Sequence, residues 1–247
     1  MPVSMEDFFS AALERVERVR RTQAEPIRRA AAIFAASLRA GGVVHVFGTG
    51  HSFAFGLELC HRAGGLVPMD LVSTFDLTAR AGEPYRGLED SSLERDPSVA
   101  HRILATHRLE PVDSFLIVSN SGRNGAIVEM ALEVKKRNLP LVAVTSMEHT
   151  SRVTSRHPSG KRLFELADVV IDNCAPYGDA ILEDSRLDGK VCAVSSATGV
   201  FIAQALTAEV VRLLLEAGEV PPIFLSANVD GSDERNQALV ERYAGRI

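Results

Sequence analysis

Twice in this chain a short run of apolar, largely β-branched residues ends in a loop carrying glycine and serine, and the loop passes into a helical pattern. The first unit is residues 43–47, then Gly48-Thr49-Gly50-His51-Ser52, then a helical stretch over 52–62 closed by Gly64-Gly65. The second is residues 115–119, then Ser119-Asn120-Ser121-Gly122-Arg123-Asn124, then a helix over 124–138 with Ile127, Ala131 and Val134 on one face. Such units leave few folds open. Strands that are continuously apolar need cover on both faces, and a helical return between strands makes them parallel, with right-handed crossovers. Residues 66–72, 141–145 and 168–172 supply three more strands. The expectation is a three-layer α/β/α domain whose five-stranded parallel sheet has the flavodoxin-like order 2-1-3-4-5. In that order the two loops follow neighbouring strands and meet over one crevice.

The first 40 residues read as a helical lead-in of one or two helices, because Phe8, Leu13, Val16, Val19, Ile27, Ala31, Phe34 and Leu38 recur at helical spacing until Gly41-Gly42. A single domain then covers 1–247, with the α/β core and a C-terminal tail over 41–247. Residues 74–111 form an irregular excursion across the expected active edge, and 195–216 a long, apolar, buried helix.

Composition narrows the function classes. A net charge of -5 and a pI near 5.8 give no general attraction to nucleic acid or anionic lipid, so an anionic ligand must be captured locally. The arginines of residues 15–29 alternate with apolar residues and with Glu17 and Glu25, as on a solvated helix face. Cys60, Cys174 and Cys192 have neither even number nor CxxC spacing, which speaks against disulfides and structural zinc and for small core residues in a reduced compartment. No basic leader with an apolar stretch opens the sequence, and no segment is expected to reach the length of a membrane span. A cytoplasmic protein with no nucleic-acid or membrane partner is expected.

The 119–124 loop offers hydroxyls, backbone N–H groups freed by a glycine turn and the positive end of a helix dipole, all suited to a phosphate. Arg123 adds a charge-assisted donor. The plainer alternative is a Ser/Asn helix cap that satisfies backbone donors and nothing else. The 48–52 loop is not a dinucleotide fingerprint, since Phe53 occupies the third glycine position, and it lacks the Gly-Lys-Ser/Thr of a P-loop. Its weight comes from its pairing with the serine loop at the same sheet edge.

These two loops, and a following strand that ends in Thr145, resemble the SIS (sugar isomerase) domain over nearly the whole chain. Ser195-Ser196-Ala197-Thr198-Gly199 at the start of the last long helix fits the same family. Residues 155–161, Asp172-Asn173 and residues 226–231 resemble a group of stand-alone bacterial SIS proteins labelled phosphoheptose isomerases without a settled reaction. Where the family usually has threonine, this chain has Asn124, which keeps a polar cap. The resemblance implies a phosphorylated sugar as ligand, bound through Gly48, Thr49, Gly50, Ser52, Ser119, Asn120, Ser121, Gly122, Arg123 and Asn124. It further implies a homodimer or homotetramer whose subunits complete each other's sites, an interface that the apolar helix 195–216 suits.

Aldose–ketose isomerisation moves a proton between adjacent carbons and needs a base with an acid or shuttle. Glu58 and His61, three apart on the helix after the first loop, are candidates for base and partner; an exposed helix pair is the competing reading. His51 lies within the loop itself. Glu209 sits among Leu206, Val210 and Leu213 near the position of the catalytic histidine of phosphoheptose isomerases, or else on a solvent edge. The seven histidines show no metal-ligand spacing, so no metal or other cofactor is expected. A sugar-phosphate sensor without turnover, and a lyase or etherase on an amino-sugar phosphate, are the rival functions.

Overall fold

The computed structural model describes residues 3–86 and 91–247; of the excursion at 74–111, residues 87–90 lie outside the described residues. Helix α1 (Met5–Thr22) starts where Ser4 Oγ accepts the Asp7 N–H at 3.0 Å, with acidic residues in its first turn and Arg20 and Arg21 in its last. α2 (Ala24–Arg39) follows after a single residue. The α/β core runs β1 (Val44–Gly48), α3 (Phe53–Leu59), β2 (Met69–Val72), α4 (Asp76–Ala79), α5 (Ser91–Arg95), α6 (Ser98–Leu104), β3 (Ser114–Val118), α7 (Gly125–Lys136), β4 (Leu141–Thr145), α8 (Met147–Thr150) and β5 (Val169–Asp172). A hairpin of β6 (Ala180–Leu182) and β7 (Val191–Ala193), then α9 (Ser195–Glu216) and α10 (Ser232–Glu241), complete the chain.

The strand order is β2-β1-β3-β4-β5, parallel throughout, as the alternation of strands and helices predicts. Side-chain alternation sorts the core into two halves. Val44, Val46, Leu116, Val118, Val142 and Val144 point to the layer of α2, α3 and α9. Phe47, Phe115, Ile117, Leu141 and Ala143 point to the layer of α6 and α7. Every residue of β1, β3 and β4 is buried, which is why these strands read as largely apolar runs, with His45, Ser114 and Thr145 as their buried polar members.

Three local expectations are corrected. The helix expected over 52–62 stops at Leu59: Cys60 is extended, with φ -100° and ψ 143°, and His61 has φ 53°. Cys192 is exposed in the hairpin, whereas Cys60 and Cys174 are buried as expected. Finally, α9 does have the length and composition of a membrane span, with 22 residues and mean hydropathy 1.5 over its most apolar window. Its apolarity has a local use in the fold. Thr198, Ile202, Leu206, Val210 and Leu214, spaced four apart, form a buried stripe against α2 and α3, while Val200, Phe201 and Leu215 face outward at 43%, 55% and 57% exposure.

Candidate functional site

The sheet order reverses between β1 and β3, and the loops leaving those two strands flank a recess at the carboxyl edge. Its floor is apolar, made by Phe55, Val118, Val144 and Gly199, and its rim is polar, made by His51, Ser52, Asn120, Asn173, Ser195 and Ser196. The recess therefore lies on the α3/α9 side of the sheet. It encloses about 60 Å³, against roughly 300–1,000 Å³ for typical small-molecule pockets. The walls of this chain alone are too small to enclose a ligand of that size.

In the first loop, Gly48 ends β1, Thr49 is buried, and Gly50–Ser52 form one tight turn closed by Ser52 N–H donating to the Thr49 carbonyl at 3.1 Å. That turn leaves His51 exposed over the rim. In the second loop, Ser119 is 7% exposed, and its Oγ accepts the Gly122 N–H at 3.1 Å. Gly122 has φ 59°, a left-handed turn that glycine adopts without a Cβ penalty. Asn120 is anchored from three directions: its carbonyl accepts from Thr145 Oγ1 at 3.2 Å and from Ser146 N–H at 3.1 Å, and its Oδ1 accepts from Asn173 Nδ2 at 2.9 Å. Its own amide N–H₂ is left as a donor at the rim.

The plain capping role does not describe the loop. Asn124 is the N-cap residue of α7, yet its side chain makes no cap hydrogen bond. Its Nδ2 instead donates to Glu94 Oε2 at 2.9 Å, and its Oδ1 accepts from Arg156 Nη1 at 3.0 Å. Among the described residues, Arg123 Nε is buried with no hydrogen-bond partner. Burial, and then the neighbouring Arg123 and Arg95 guanidiniums, push Arg156 below its ordinary value, with Glu94 opposing. Three arginines thus converge on the 119–124 loop, and one carboxylate stands among them.

α9 begins at the same rim. Asp179 Oδ1 accepts the Ser195 N–H at 2.8 Å and Oδ2 accepts the Ser195 hydroxyl at 2.6 Å, which holds the helix start over the recess.

The sequence candidates separate in space. His51, Ser52 and Asn120 line the recess. Ser119 and Gly122 shape the loop, and Asn124 is tied to Glu94 and Arg156. Glu58, on α3, is held by Arg62 and accepts from Gln204 Nε2 at 2.7 Å, away from the recess lining. His61 lies past the end of α3, its ring 6.1 Å from that of Phe224, so the two do not share a helix face. Glu209 pairs with Arg212 one turn along α9, and that bond holds its carboxyl below the usual range. Sequence reasoning passed over Asn173, Ser195, Ser196, Glu94 and Arg156 as site residues. Asn173 was findable, because it follows β5 at the same carboxyl edge that singled out the two loops. Glu94 and Arg156 reach the loop only through tertiary packing.

Comparison with known proteins agrees with this architecture. The SIS domain family model matches residues 7–146. A UPF0309 protein of Listeria monocytogenes is 41% identical over 242 residues, covering 97% of each chain, and one of Caldanaerobacter subterraneus is 40% identical over 243 residues, again covering 97% of each. A phosphoheptose isomerase structure from Francisella tularensis covers 84% of this chain and 96% of its own at TM-score 0.55; at 16% identity it shares the fold. With its model spanning more than half the chain and UPF0309 relatives aligned nearly end to end, this chain belongs to the SIS domain family and, within it, to the UPF0309 proteins.

Proposed function

We propose that this chain binds a phosphorylated sugar across the carboxyl edge between β1 and β3 and acts on it as an aldose–ketose isomerase. The observation that carries the binding half is the 119–124 loop: a turn of serines and glycine at an uncapped helix start, with Arg123 Nε buried and lacking a partner among the described residues. A phosphate supplies the acceptor that Arg123 lacks. The names of the fold relatives agree with this ligand class. In a thermal-shift series, sugar phosphates should raise the unfolding midpoint and the matching unphosphorylated sugars should not. Arg123→Gln should weaken binding by about 2 kcal/mol, roughly thirtyfold. Equal shifts from both ligand sets would reject the phosphate site.

We assign the proton transfer to His51, the titratable side chain on the recess rim, because Glu58 is committed to Arg62 and Gln204. His51→Gln should slow exchange of the carbon-bound proton with deuterated solvent by about a hundredfold or more while affinity holds. A second reading, binding without turnover, rests on one observation: among the described residues no carboxylate lines the recess. Tight binding with no solvent exchange for any bound sugar phosphate decides for that reading. The small enclosed volume and the outward Val200 and Phe201 at the recess end of α9 support a homodimer or homotetramer in which a second copy completes the wall.

A further inference from the structure

On the opposite face of the sheet, toward the amino ends of the strands, the chain buries a second constellation. His45 is the second residue of β1, directly across from Asp70 on β2, and its ring stacks on Phe115 at 4.8 Å. His107, beyond α6, brings its ring to 6.4 Å from that of His45, edge-on. Both Nδ1 atoms stand 2.7 Å from the same oxygen, Asp70 Oδ2. Each remote nitrogen meets another carboxylate: His45 Nε2 is 3.2 Å from Asp113 Oδ2, and His107 Nε2 is 3.2 Å from Asp76 Oδ2. No side chain of the central three is more than 1% exposed, and Asp70 Oδ1 is buried with no hydrogen-bond partner among the described residues.

We propose that His45, Asp70 and His107 form a binding site for a divalent transition metal ion of the zinc type, held by the two Nδ1 atoms and the Asp70 carboxylate. The three donors lie within 4.8 Å of one another. Two imidazoles and one carboxylate are a borderline donor set that suits zinc better than calcium or magnesium. The remote carboxylates are what a histidine ligand needs in its outer shell, since Asp113 and Asp76 hold each Nε2–H and leave Nδ1 as the lone-pair nitrogen. They are themselves fixed. Asp113 accepts from the Val43 and Glu110 N–H groups at 2.9 and 2.6 Å, and Asp76 accepts the Ser73 N–H at 2.6 Å.

Charge favours the exchange as well. Without an ion, two imidazoles that both donate to Asp70 and both donate outward are two cations. A dication that takes the place of the two Nδ1 protons leaves the charge of the cluster unchanged, and Asp70 Oδ1 gains a partner. Opening the 2.7 Å contacts to the edge of a zinc tetrahedron, about 3.3 Å, falls on His107, which sits on the connection between α6 and β3 rather than on a strand. Arg80, 39% exposed and 3.8 Å from Asp70 Oδ1, has solvent to turn into. Three protein donors leave the fourth corner of a zinc tetrahedron to a water molecule, and because all three side chains are at most 1% exposed no substrate reaches that corner, so the role assigned to the ion is structural. It ties β1, β2 and the α6–β3 connection together, remote from the recess.

The test uses the full chain, stripped with chelator and dialysed against Zn²⁺ at pH 8. About one ion per chain should remain after gel filtration, and Co²⁺ in its place should give the intense visible bands of a tetrahedral site. His107→Gln should weaken retention of the ion at least tenfold, while His101→Gln, at the separate cluster with Glu129 and Glu133, keeps it. If His107→Gln does not fold, imidazole NMR of the unmodified chain decides: Zn²⁺ must shift the signals of both His45 and His107. A folded parent chain that retains no ion, or signals that do not move, overturns the site.

Discussion

Replacing Asp113 by alanine should be among the most destabilising single changes in this protein. The side chain is fully buried, and four groups lean on it: the N–H of Val43, the N–H of Glu110, His45 Nε2 and the guanidinium of Arg246 at 2.5 Å. Alanine leaves two backbone donors without acceptors, each worth about 1–3 kcal/mol when buried. It also strands the guanidinium of Arg246, 14% exposed, and a fully buried imidazole; removing one member of a buried pair costs about 3–5 kcal/mol. These losses share one cavity and are not additive, so a total of about 4–6 kcal/mol is expected, comparable with the whole stability of many domains. Asp113→Asn keeps the shape and one acceptor oxygen and should lose roughly half as much. Urea unfolding of chelator-treated protein measures both. If Asp113→Ala cannot be purified folded, Asp113→Asn and Arg246→Ala carry the test. A loss under about 1 kcal/mol in the alanine variant, or an asparagine variant equal to the parent, would refute the view that this carboxylate anchors the strand ends.

Burial opposes charge on His107, but its bonds to Asp70 and Asp76 outweigh that and raise it to about 9, while Asp70 is pushed well below its ordinary value against its own burial by the two histidines. The stabilisation from His107 is therefore complete below its unfolded value near 6.5 and is lost as pH rises toward 9, whereas that from Asp70 is lost as pH falls below about 4; the unfolding free energy of metal-stripped protein, from urea titration, should peak between these limits and drop by at most about 3 kcal/mol on the alkaline side. Gly125→Ala should cost about 1–3 kcal/mol, because a Cβ there would lie 2.2 Å from the Arg95 carbonyl oxygen and 2.9 Å from Pro97 Cδ, and the rigid backbone at 95–97 must move; a denaturation midpoint equal to the parent's would show that segment to be free to yield. Phe201→Glu should convert an oligomer to monomer in light scattering at micromolar concentration and lower sugar-phosphate affinity with it; an unchanged mass places the interface elsewhere.

The layers, the strand order and the two glycine- and serine-bearing loops were legible in the sequence because each is written in local periodicity. A strand buried on both faces reads as an apolar run such as 115–118, and a glycine turn before a helix reads as a loop such as 119–124. Helix ends were less legible. The pairing of Glu58 with His61 assumed a helix through residue 62, but the chain turns extended at Cys60 and left-handed at His61, and no strong breaker residue before Gly64 announces it. Glu209 likewise finds its partner, Arg212, within its own helix.

What tertiary structure alone decided is which distant side chains meet. His45 and Asp70 are 25 residues apart and Asp70 and His107 are 37 apart, so no ligand spacing shows in the sequence. They come together because parallel pairing sets His45 level with Asp70, and the α6–β3 connection returns across the same face. Glu94 and Arg156 reach Asn124 in the same way, from connections that carry no periodic signal. Periodicity fixes which face of an element is buried, since that depends on neighbours three or four residues away. The chemistry on that face depends on register and crossover, which are settled only when the strands pack.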